Sequence, residues 1–246
     1  VVMGANIGTT LTSTLVSLSF ITNKNEFRKA ISAGSAHDFF NIFTVILLFP
    51  LEFYFGILSG GANYLTSIFG DALNANKATE GLSFGLSRLA ELVLNWLPNA
   101  AVTLVLSLIT LFISIKLLSK TISNRIIGSS QNKLRKFIFA SPYKSFGWGT
   151  LITAAIQSSS ITTSLIVPLV ASGRVTLKRS FPFILGANIG TTITALIAAF
   201  SQSEAAISLA FVHLLFNLIG VLIFLPFPFL PITAIRSPGS TSKLNF

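Results

Sequence analysis

Two motifs of hydroxyl and amide side chains stand out in an otherwise apolar sequence. One is the run Gln157-Ser158-Ser159-Ser160; the other is Gly-Ala-Asn-Ile-Gly-Thr-Thr, which occupies residues 4–10 and recurs letter for letter at residues 186–192. Amide and hydroxyl oxygens suit a dehydrated alkali cation, and exposed N–H groups at the start of a helix suit an anion. These residue types therefore predict binding of small ions, with tight helix packing through small and hydroxyl residues as the alternative.

The composition limits the kind of protein that carries these motifs. The 246 residues are 52% hydrophobic and only 10% charged, whereas soluble domains carry about 25% charged residues, and a chain this apolar does not stay disordered. There is no cysteine, which excludes disulfides, thiolate metal sites and cysteine nucleophiles. The net charge of +10 comes from basic residues scattered among apolar runs, which favours a membrane protein with basic cytoplasmic loops over a nucleic-acid-binding protein. We therefore predict an all-α polytopic membrane protein that contacts the lipid bilayer and no nucleic acid.

Several apolar segments are long enough to hold the motifs inside a membrane. Residues 39–57 would form a helix about 28 Å long, enough to cross the hydrocarbon core. Further candidate spans are residues 100–115 (extended by 92–98), 181–200 and 205–225, with 1–20 as a weaker one. Residues 157–160 interrupt the apolar stretch 148–172, and such a polar break must face protein or water because unpaired backbone groups are costly in lipid.

The distribution of Lys and Arg predicts how these segments are oriented. The loop over residues 116–144 is rich in both and should be cytoplasmic, whereas the connection over 59–92 carries only Lys77 and Arg88 and should be outside. Basic residues also cluster at 174–179, so the stretch 148–172 should leave the cytoplasm and return to it. Because both ends of this stretch are predicted on the same side of the membrane, we expect a re-entrant hairpin with its tip near the Gln-Ser-Ser-Ser run.

A second correspondence shows that the repeated motif belongs to a longer duplication. Downstream of the motif, residues 30–32, His37, 40–41 and Pro50 recur as 206–208, His213, 216–217 and Pro226, in the same order and with one small gap relative to the motif. Basic residues precede the His-containing helix in the first copy and follow it in the second, which predicts opposite orientations in the membrane. Inverted repeats with discontinuous helices are an architecture of secondary transporters. We expect the two glycines of each motif to let the backbone leave helical geometry and to let another backbone approach closely.

The duplication divides the chain into segments. Because residues 4–10 are already the front of a recurring motif, we expect a fragment that lacks its N-terminal part. The predicted segments are part of the first inverted repeat (1–58), an outer loop (59–93), a linking transmembrane helix (94–118), a cytoplasmic loop (119–147), the second inverted repeat (148–233) and a cytoplasmic tail or truncated loop (234–246).

The motifs together resemble a known family. Residues 157–164, 186–192 and 213–217 are similar to the second repeat of the type II sodium–phosphate cotransporters, and residues 1–14 with 37–41 and 50–52 to the first. The resemblance implies symport of sodium and inorganic phosphate by alternating access, with Na⁺ as coupling ion and no other cofactor. Since the chain has no cysteine and no Asn-x-Ser/Thr sequon, it looks like the bacterial form, located in the inner (plasma) membrane.

The resemblance also implies roles for individual residues. Phosphate would contact Gln157, Ser158, Ser159 and Ser160, which could also bind sodium. Sodium coordination would be completed by the hydroxyl and amide residues Thr162, Thr163, Asn188, Thr191 and Thr192, with Asn6, Thr9 and Thr10 as their first-repeat counterparts. Members of the family carry a Gln-Ser-Ser-Ser run in each repeat, and by its spacing the first would fall before Val1.

Three residues inside predicted spans need separate interpretation. Asp38 is a functional candidate by default because an acid in a span is costly, and the family associates an acid here with an additional sodium. The alternative is that Asp38 lies at the interface and pairs with His37 or Arg28. His37 and His213 recur symmetrically, which favours packing or helix-positioning hydrogen bonds over proton transfer.

Other functions stay open on the sequence alone. A transporter of another oxyanion or of a carboxylate would use the same scaffold. A membrane-embedded serine hydrolase would need Ser159 beside His213, and the sequence has no Gly-x-Ser-x-Gly elbow. A regulatory or scaffold fragment is the third alternative.

Overall fold

The computed structural model describes residues 1–74, 136–199 and 202–227, with isolated positions between 91 and 110. Within these ranges the regular structure is helical and contains no strand. Most of the predicted linking helix at 94–118, most of the predicted loop at 119–147 and the tail at 234–246 lie outside the described residues. The all-α prediction is confirmed for the part that is described.

The N-terminal part consists of α1 (Val2–Ser17), a short 3₁₀ turn (Leu18–Phe20), α2 (Lys24–Phe55) and α3 (Ile57–Asn74). Helix α2 begins where the Asn23 side chain accepts hydrogen bonds from two backbone N–H groups, the usual role of an N-cap asparagine. It ends at Gly56, whose φ of 60° turns the chain directly into α3. Residues 39–57 are therefore mostly the second half of a longer helix, and the first half of the predicted outer loop is helical.

The middle of the described chain is a helix with a sharp break. Helix α4 (Pro142–Ile156) is followed by α5 (Ser159–Ser164) and α6 (Ile166–Ala171). It starts before the predicted end of the cytoplasmic loop at residue 147, because Ser141 caps it and proline fits its first turn. Trp148 and Ile152 of α4 pack against the same apolar cluster that contains Val167 and Val170 of α6.

Two long helices, α7 (Leu177–Ala199) and α8 (Glu204–Phe224), complete the described fold. The repeated motif lies inside unbroken helix in both copies, within α1 and within α7. The expectation that its glycines let the backbone leave helical geometry is therefore wrong, and the interruption lies at Gln157–Ser158 instead; the expectation of close backbone approach is confirmed for the second copy. A glycine, which has no side chain, permits close helix contact as well as unusual backbone angles, and the second copy of the motif, in α7, uses the first property.

Helices α2, α7 and α8 are long and apolar enough to cross a membrane. They cover all but the last one or two residues of three spans predicted from the sequence (39–57, 181–200 and 205–225). Their packing places α7 along α4, α1 and α6 against α2, and α3 against α8. The largest completely buried side chains are Phe40, Phe181 and Phe216, which lie on α2, α7 and α8 respectively.

Candidate functional site

Glycines bring α4 and α7 into backbone contact. A Cβ at Gly149 would collide with the carbonyl oxygen of Phe183, and one at Gly186 with that of Phe146. At Gly190 it would lie 2.6 Å from the carbonyl oxygen of Thr150, far inside van der Waals contact. The second copy of the motif is therefore pressed against the arm that leads into the Gln-Ser-Ser-Ser break.

The asparagine of the first motif is held by side chains of the second repeat. Asn6 is buried, and its Oδ1 accepts hydrogen bonds from His213 Nε2 at 3.2 Å and from Asn217 Nδ2 at 3.3 Å. Its own Nδ2 donates to the Val2 carbonyl at 3.0 Å. A carbonyl oxygen has two lone pairs, so both acceptor positions of Asn6 Oδ1 are in use.

The asparagine of the second motif is held by side chains of the first repeat. His37 Nε2 donates to Asn188 Oδ1 at 2.6 Å, and Asn188 Nδ2 donates to Asn41 Oδ1 at 3.4 Å. Asn41 Nδ2 donates in turn to the backbone carbonyl of Asn6 at 2.8 Å. His37, Asn41 and Asn188 are all buried, so each hydrogen bond is worth more here than at a surface.

Each motif thus bonds to the His-x-x-x-Asn pair of the other copy. We call these six side chains the crossed asparagine cluster: Asn6, His37, Asn41, Asn188, His213 and Asn217. Packing or helix-positioning hydrogen bonds were predicted for both histidines, but neither histidine was predicted to belong to the site, and Asn41 and Asn217 were not predicted there either. The sequence feature that could have identified them is the recurring His-x-x-x-Asn spacing, because residues four apart lie on one face of a helix.

The Gln-Ser-Ser-Ser break lies against the first motif. Gln157 has a φ of 58°, in the left-handed region that a non-glycine residue enters seldom, and it ends α4. Ser158 then caps α5 through a hydrogen bond from the Ile161 N–H. Ser160 Oγ donates to the Thr9 carbonyl at 3.0 Å. Residues of the two predicted binding motifs therefore meet in space.

A second contact between α1 and α5 joins two buried hydroxyl groups. Ser13 Oγ lies 2.7 Å from Thr163 Oγ1, and both residues are buried. Thr163 also donates to the Ser159 carbonyl at 2.8 Å, so its hydroxyl proton is used there and Ser13 is the donor to Thr163. This contact ties the break to α1 below the motif.

The predicted threonine ligands share a hydrogen-bonding pattern. Each donates its hydroxyl proton to a backbone carbonyl three or four residues earlier in its own helix. The residues are Thr9, Thr10, Thr162, Thr163, Thr191 and Thr192. A hydroxyl that donates in this way keeps lone pairs available, which is what a cation ligand requires.

Within the part of the chain that the structure describes, Asp38 is hydrogen-bonded to Thr14 and not to the predicted alternatives His37 or Arg28. Thr14 Oγ1 donates to its Oδ2 at 2.6 Å, and no ion pair of Asp38 with Arg28 occurs in the described structure. Its Oδ1 is buried and has no hydrogen-bond partner among the described residues. A carboxylate oxygen in this position is costly and is suited to a cation.

The helices and their buried polar centre define a helical membrane protein in which two copies of one motif meet around a break rich in hydroxyl groups. The Na+/Pi-cotransporter family profile matches residues 110–225. The sequence also matches sodium-dependent phosphate transport protein 2A of Rattus norvegicus, with 29% identity over 325 residues covering 100% of this chain and 51% of that protein. The resemblance to the sodium–phosphate cotransporters is thereby confirmed.

Two further relatives are also named as sodium-dependent phosphate transport proteins. Sodium-dependent phosphate transport protein 2B of Rattus norvegicus is 26% identical over 98% of this chain and 49% of its own length, and protein 2A of Mus musculus is 28% identical over 100% and 51%. The chain spans about half the length of the curated relatives it matches. No solved structure matches the chain significantly.

Proposed function

We propose that this protein carries out symport of sodium and inorganic phosphate across the plasma membrane by alternating access. The observation that supports this most is the meeting of the two motifs. Asn6 and Asn188, which belong to different copies of the motif, are held in one buried cluster beside the Gln157–Ser160 break. A site at mid-membrane between two repeats is the arrangement of transporters with inverted repeats.

The phosphate site proposed here is the break itself. The Gln157 amide and the hydroxyls of Ser158, Ser159 and Ser160 supply several donors in a short segment, and phosphate oxygens need several hydrogen bonds. The left-handed Gln157 costs on the order of 1–3 kcal/mol if not otherwise compensated. A strained residue at the tip of a re-entrant hairpin supports a role in binding.

The sodium site proposed here uses the lone pairs around the break. Thr9, Thr10, Thr162, Thr163, Thr191 and Thr192 are its hydroxyl ligands, with the amide oxygens of Asn6 and Asn188. In the conformation described, Asn6 Oδ1 already accepts two hydrogen bonds. Its participation therefore requires that His213 or Asn217 move away, which links ion binding to a change in the contact between repeats.

Asp38 is proposed as an additional sodium ligand. Its Oδ2 is oriented by Thr14, and its Oδ1 is buried without a partner in the described part of the chain. A sodium ion beside Oδ1 would supply the missing interaction. Asp38→Asn should therefore lower the apparent sodium affinity more than the phosphate affinity. Thr14→Val should also lower the apparent sodium affinity, but by a smaller factor.

The geometry does not favour the hydrolase alternative. His213 Nε2 bonds to Asn6 Oδ1, and among the described residues no hydrogen bond joins Ser159 to His213. A nucleophilic serine needs its base within hydrogen-bond reach. Transport of another oxyanion or a carboxylate uses the same site and is distinguished by competition with sulfate and succinate.

Uptake of radiolabelled phosphate into proteoliposomes tests the proposal. Full-length protein should accumulate phosphate when sodium is higher outside, and not when potassium replaces sodium. Gln157→Ala should abolish uptake, whereas Gln202→Ala, a glutamine that is also exposed, should retain it. Phosphate uptake that persists without a sodium gradient would rule out coupling, and equal loss in the two glutamine variants would remove Gln157 from the site.

A further inference from the structure

The basic side chains of the described structure lie in three short stretches of the chain. These stretches are the start of α2, residues 136–144 at the start of α4, and residues 174–179, which lead from α6 into α7. All eight basic residues in them are exposed, and they are Lys24, Arg28, Lys29, Lys136, Lys144, Arg174, Lys178 and Arg179. The only acid in the same stretches is Glu26. We call this surface the basic end.

Packing brings the three stretches together at one end of the fold. Ala30 of α2, Phe139 before α4 and Val175 before α7 are buried in one apolar cluster. Ser145 Oγ lies 3.3 Å from the carbonyl oxygen of Ile138 and 3.2 Å from that of Arg179, which joins the start of α4 to the start of α7. The basic end is therefore one surface, to which α2, α4 and the connection between α6 and α7 all contribute.

One contact between these stretches brings two cations to the same turn. A Cβ at Gly173 would lie 3.3 Å from Lys29 Nζ, so the Lys29 ammonium lies against the turn immediately before Arg174. Within the described ranges, neither Lys29 nor Arg174 has a carboxylate partner for its charge. Uncompensated like charges repel each other, and an anion placed beside both would remove that repulsion.

Aromatic rings are interspersed with the cations of the basic end. Phe137 is 50% exposed and Tyr143 is 79% exposed. Lys144 Nζ lies 5.1 Å from the centre of the Phe137 ring, and the centre of that ring lies 6.1 Å from that of Trp148. Exposed rings beside Lys and Arg are typical of the headgroup level of a membrane, where long basic side chains extend into the polar region. A free anion gains nothing from such rings, so the surface fits a lipid better.

The basic end also lies where two candidate membrane spans begin. Helices α2 and α7 are long and apolar enough to cross a membrane, and their first residues, Lys24 and Leu177, belong to this end. With 23 residues, α7 is about 34 Å long, so its two ends reach opposite surfaces of a hydrocarbon core about 30 Å thick. The basic end therefore lies at the headgroups of one leaflet, and Gln202, which follows α7, lies on the far side.

We infer that the basic end binds an anionic phospholipid, whose phosphate contacts the Lys29 ammonium and the Arg174 guanidinium. Phe137 and Tyr143 lie at the same level of the membrane and contact the lipid through their rings. A phospholipid bound here connects α2 to the turn between α6 and α7. Its phosphate shares its chemistry with inorganic phosphate, so competition by the free ion is part of the test. The inference concerns the surrounding lipid and stands independently of the transported substance.

Quenching of tryptophan fluorescence by brominated lipids tests the inference. Trp148 is half-buried and adjoins Phe137, so the bromine atoms of a lipid at the basic end come close to its indole. Full-length protein in which Trp148 is the only tryptophan is reconstituted into phosphatidylcholine vesicles. Increasing shares of the lipid are then replaced by brominated phosphatidylglycerol, which is anionic, or by brominated phosphatidylcholine, which carries no net charge.

Brominated phosphatidylglycerol should reach half-maximal quenching at a lower mole fraction than brominated phosphatidylcholine. Two basic residues, each worth roughly fivefold near anionic lipid, predict a ratio of the two mole fractions on the order of 25-fold. Lys29→Ala and Arg174→Ala should each lower this ratio roughly fivefold, and the double variant should bring it close to one. Lys29→Arg keeps the charge and should keep the ratio. Gln202→Glu makes the same change in net charge on the far side of the membrane and should also keep it.

Three results would overturn the inference. Equal quenching by the two lipids in the unsubstituted protein would show that the basic end does not prefer anionic lipid. An unchanged ratio in the double variant would show that the preference arises elsewhere on the protein. Loss of quenching by brominated phosphatidylglycerol on addition of inorganic phosphate, but not of chloride at the same ionic strength, would show that the surface binds the free ion instead. Because the ratio compares two lipids in one and the same variant, a shift of Trp148 affects both measurements equally.

Discussion

Removing the imidazole of His37 tests the crossed asparagine cluster most directly. His37 is completely buried, and its Nε2 donates to Asn188 Oδ1 at 2.6 Å. His37→Ala leaves a buried amide oxygen without its donor, at a cost of about 1–3 kcal/mol, and opens a cavity that raises the total to about 3–5 kcal/mol. For a chain of this size, about 2–4 °C per kcal/mol gives a fall in Tm on the order of 6–20 °C.

The matched comparison is His213→Ala. His213 is only partly buried, its hydrogen bond is longer at 3.2 Å, and Asn6 Oδ1 keeps Asn217 as a second donor. Its removal should cost no more than about half as much as that of His37. Thermal melts in detergent measure both losses.

A double-mutant cycle separates the hydrogen bond from general packing. The cycle combines His37→Ala with Asn188→Ala, and direct contact should give a coupling free energy of about 1–3 kcal/mol. His37→Gln, which can place an N–H near the same position, should recover part of the loss. A coupling free energy below about 0.5 kcal/mol, the range of independent sites, would refute the assignment of His37 as the residue that orients Asn188. Equal losses at the two histidines would refute it as well.

Three further predictions use thermal melts of the same chain. Gly190→Ala should lower stability by about 1–3 kcal/mol because its Cβ would lie 2.6 Å from a carbonyl oxygen, whereas Gly8→Ala, in open space among the described residues, should cost nothing; the reverse order would contradict the packing. Thr163→Val should lower stability more than Ser13→Ala. In Ser13→Ala, Thr163 still donates to the Ser159 carbonyl, whereas in Thr163→Val the Ser13 hydroxyl loses its acceptor; equal losses of stability would argue against this. Glu52→Ala should cost about 0.5–2 kcal/mol, since its carboxylate accepts the N–H groups that begin α3; hydrogen exchange that stays unchanged at the start of α3 would count against it.

Much of the fold follows from apolar patterning alone. The long apolar runs and their flanking residues predicted the helices that became α2, α7 and α8, and their boundaries moved because local capping decides where a helix ends. Asn23 starts α2 well before the apolar run begins, and Gly56 allows a second helix to follow at once. A loop predicted from low basic charge became the helix α3, because charge reports on the side of the membrane and not on helix formation.

The glycines of the repeated motif illustrate what local sequence leaves undecided. Gly-x-x-x-Gly spacing is compatible with a break in a helix and with a tight contact between helices. Which of the two occurs depends on the neighbouring helix. In the second copy, the carbonyl oxygens of Phe146 and Thr150 leave no room for a side chain at the motif glycines, and the helix stays intact. The actual break is formed by Gln157 and Ser158, where residues that hydrogen-bond their own backbone compete with helix continuation.

The crossed asparagine cluster follows from the duplication only when both copies are considered together. Within one copy, His37 and Asn41 lie on a single helix face and have no evident partner, and the same is true of His213 and Asn217. When the two halves pack together, the His and Asn side chains of each half contact the motif of the other half. The asparagine of each motif is therefore hydrogen-bonded by the opposite copy and not by its own. Neither half can therefore bury its polar groups alone. A movement that separates the halves must break both sets of hydrogen bonds together, so the proposed ion binding would be coupled to the relative position of the halves at this cluster.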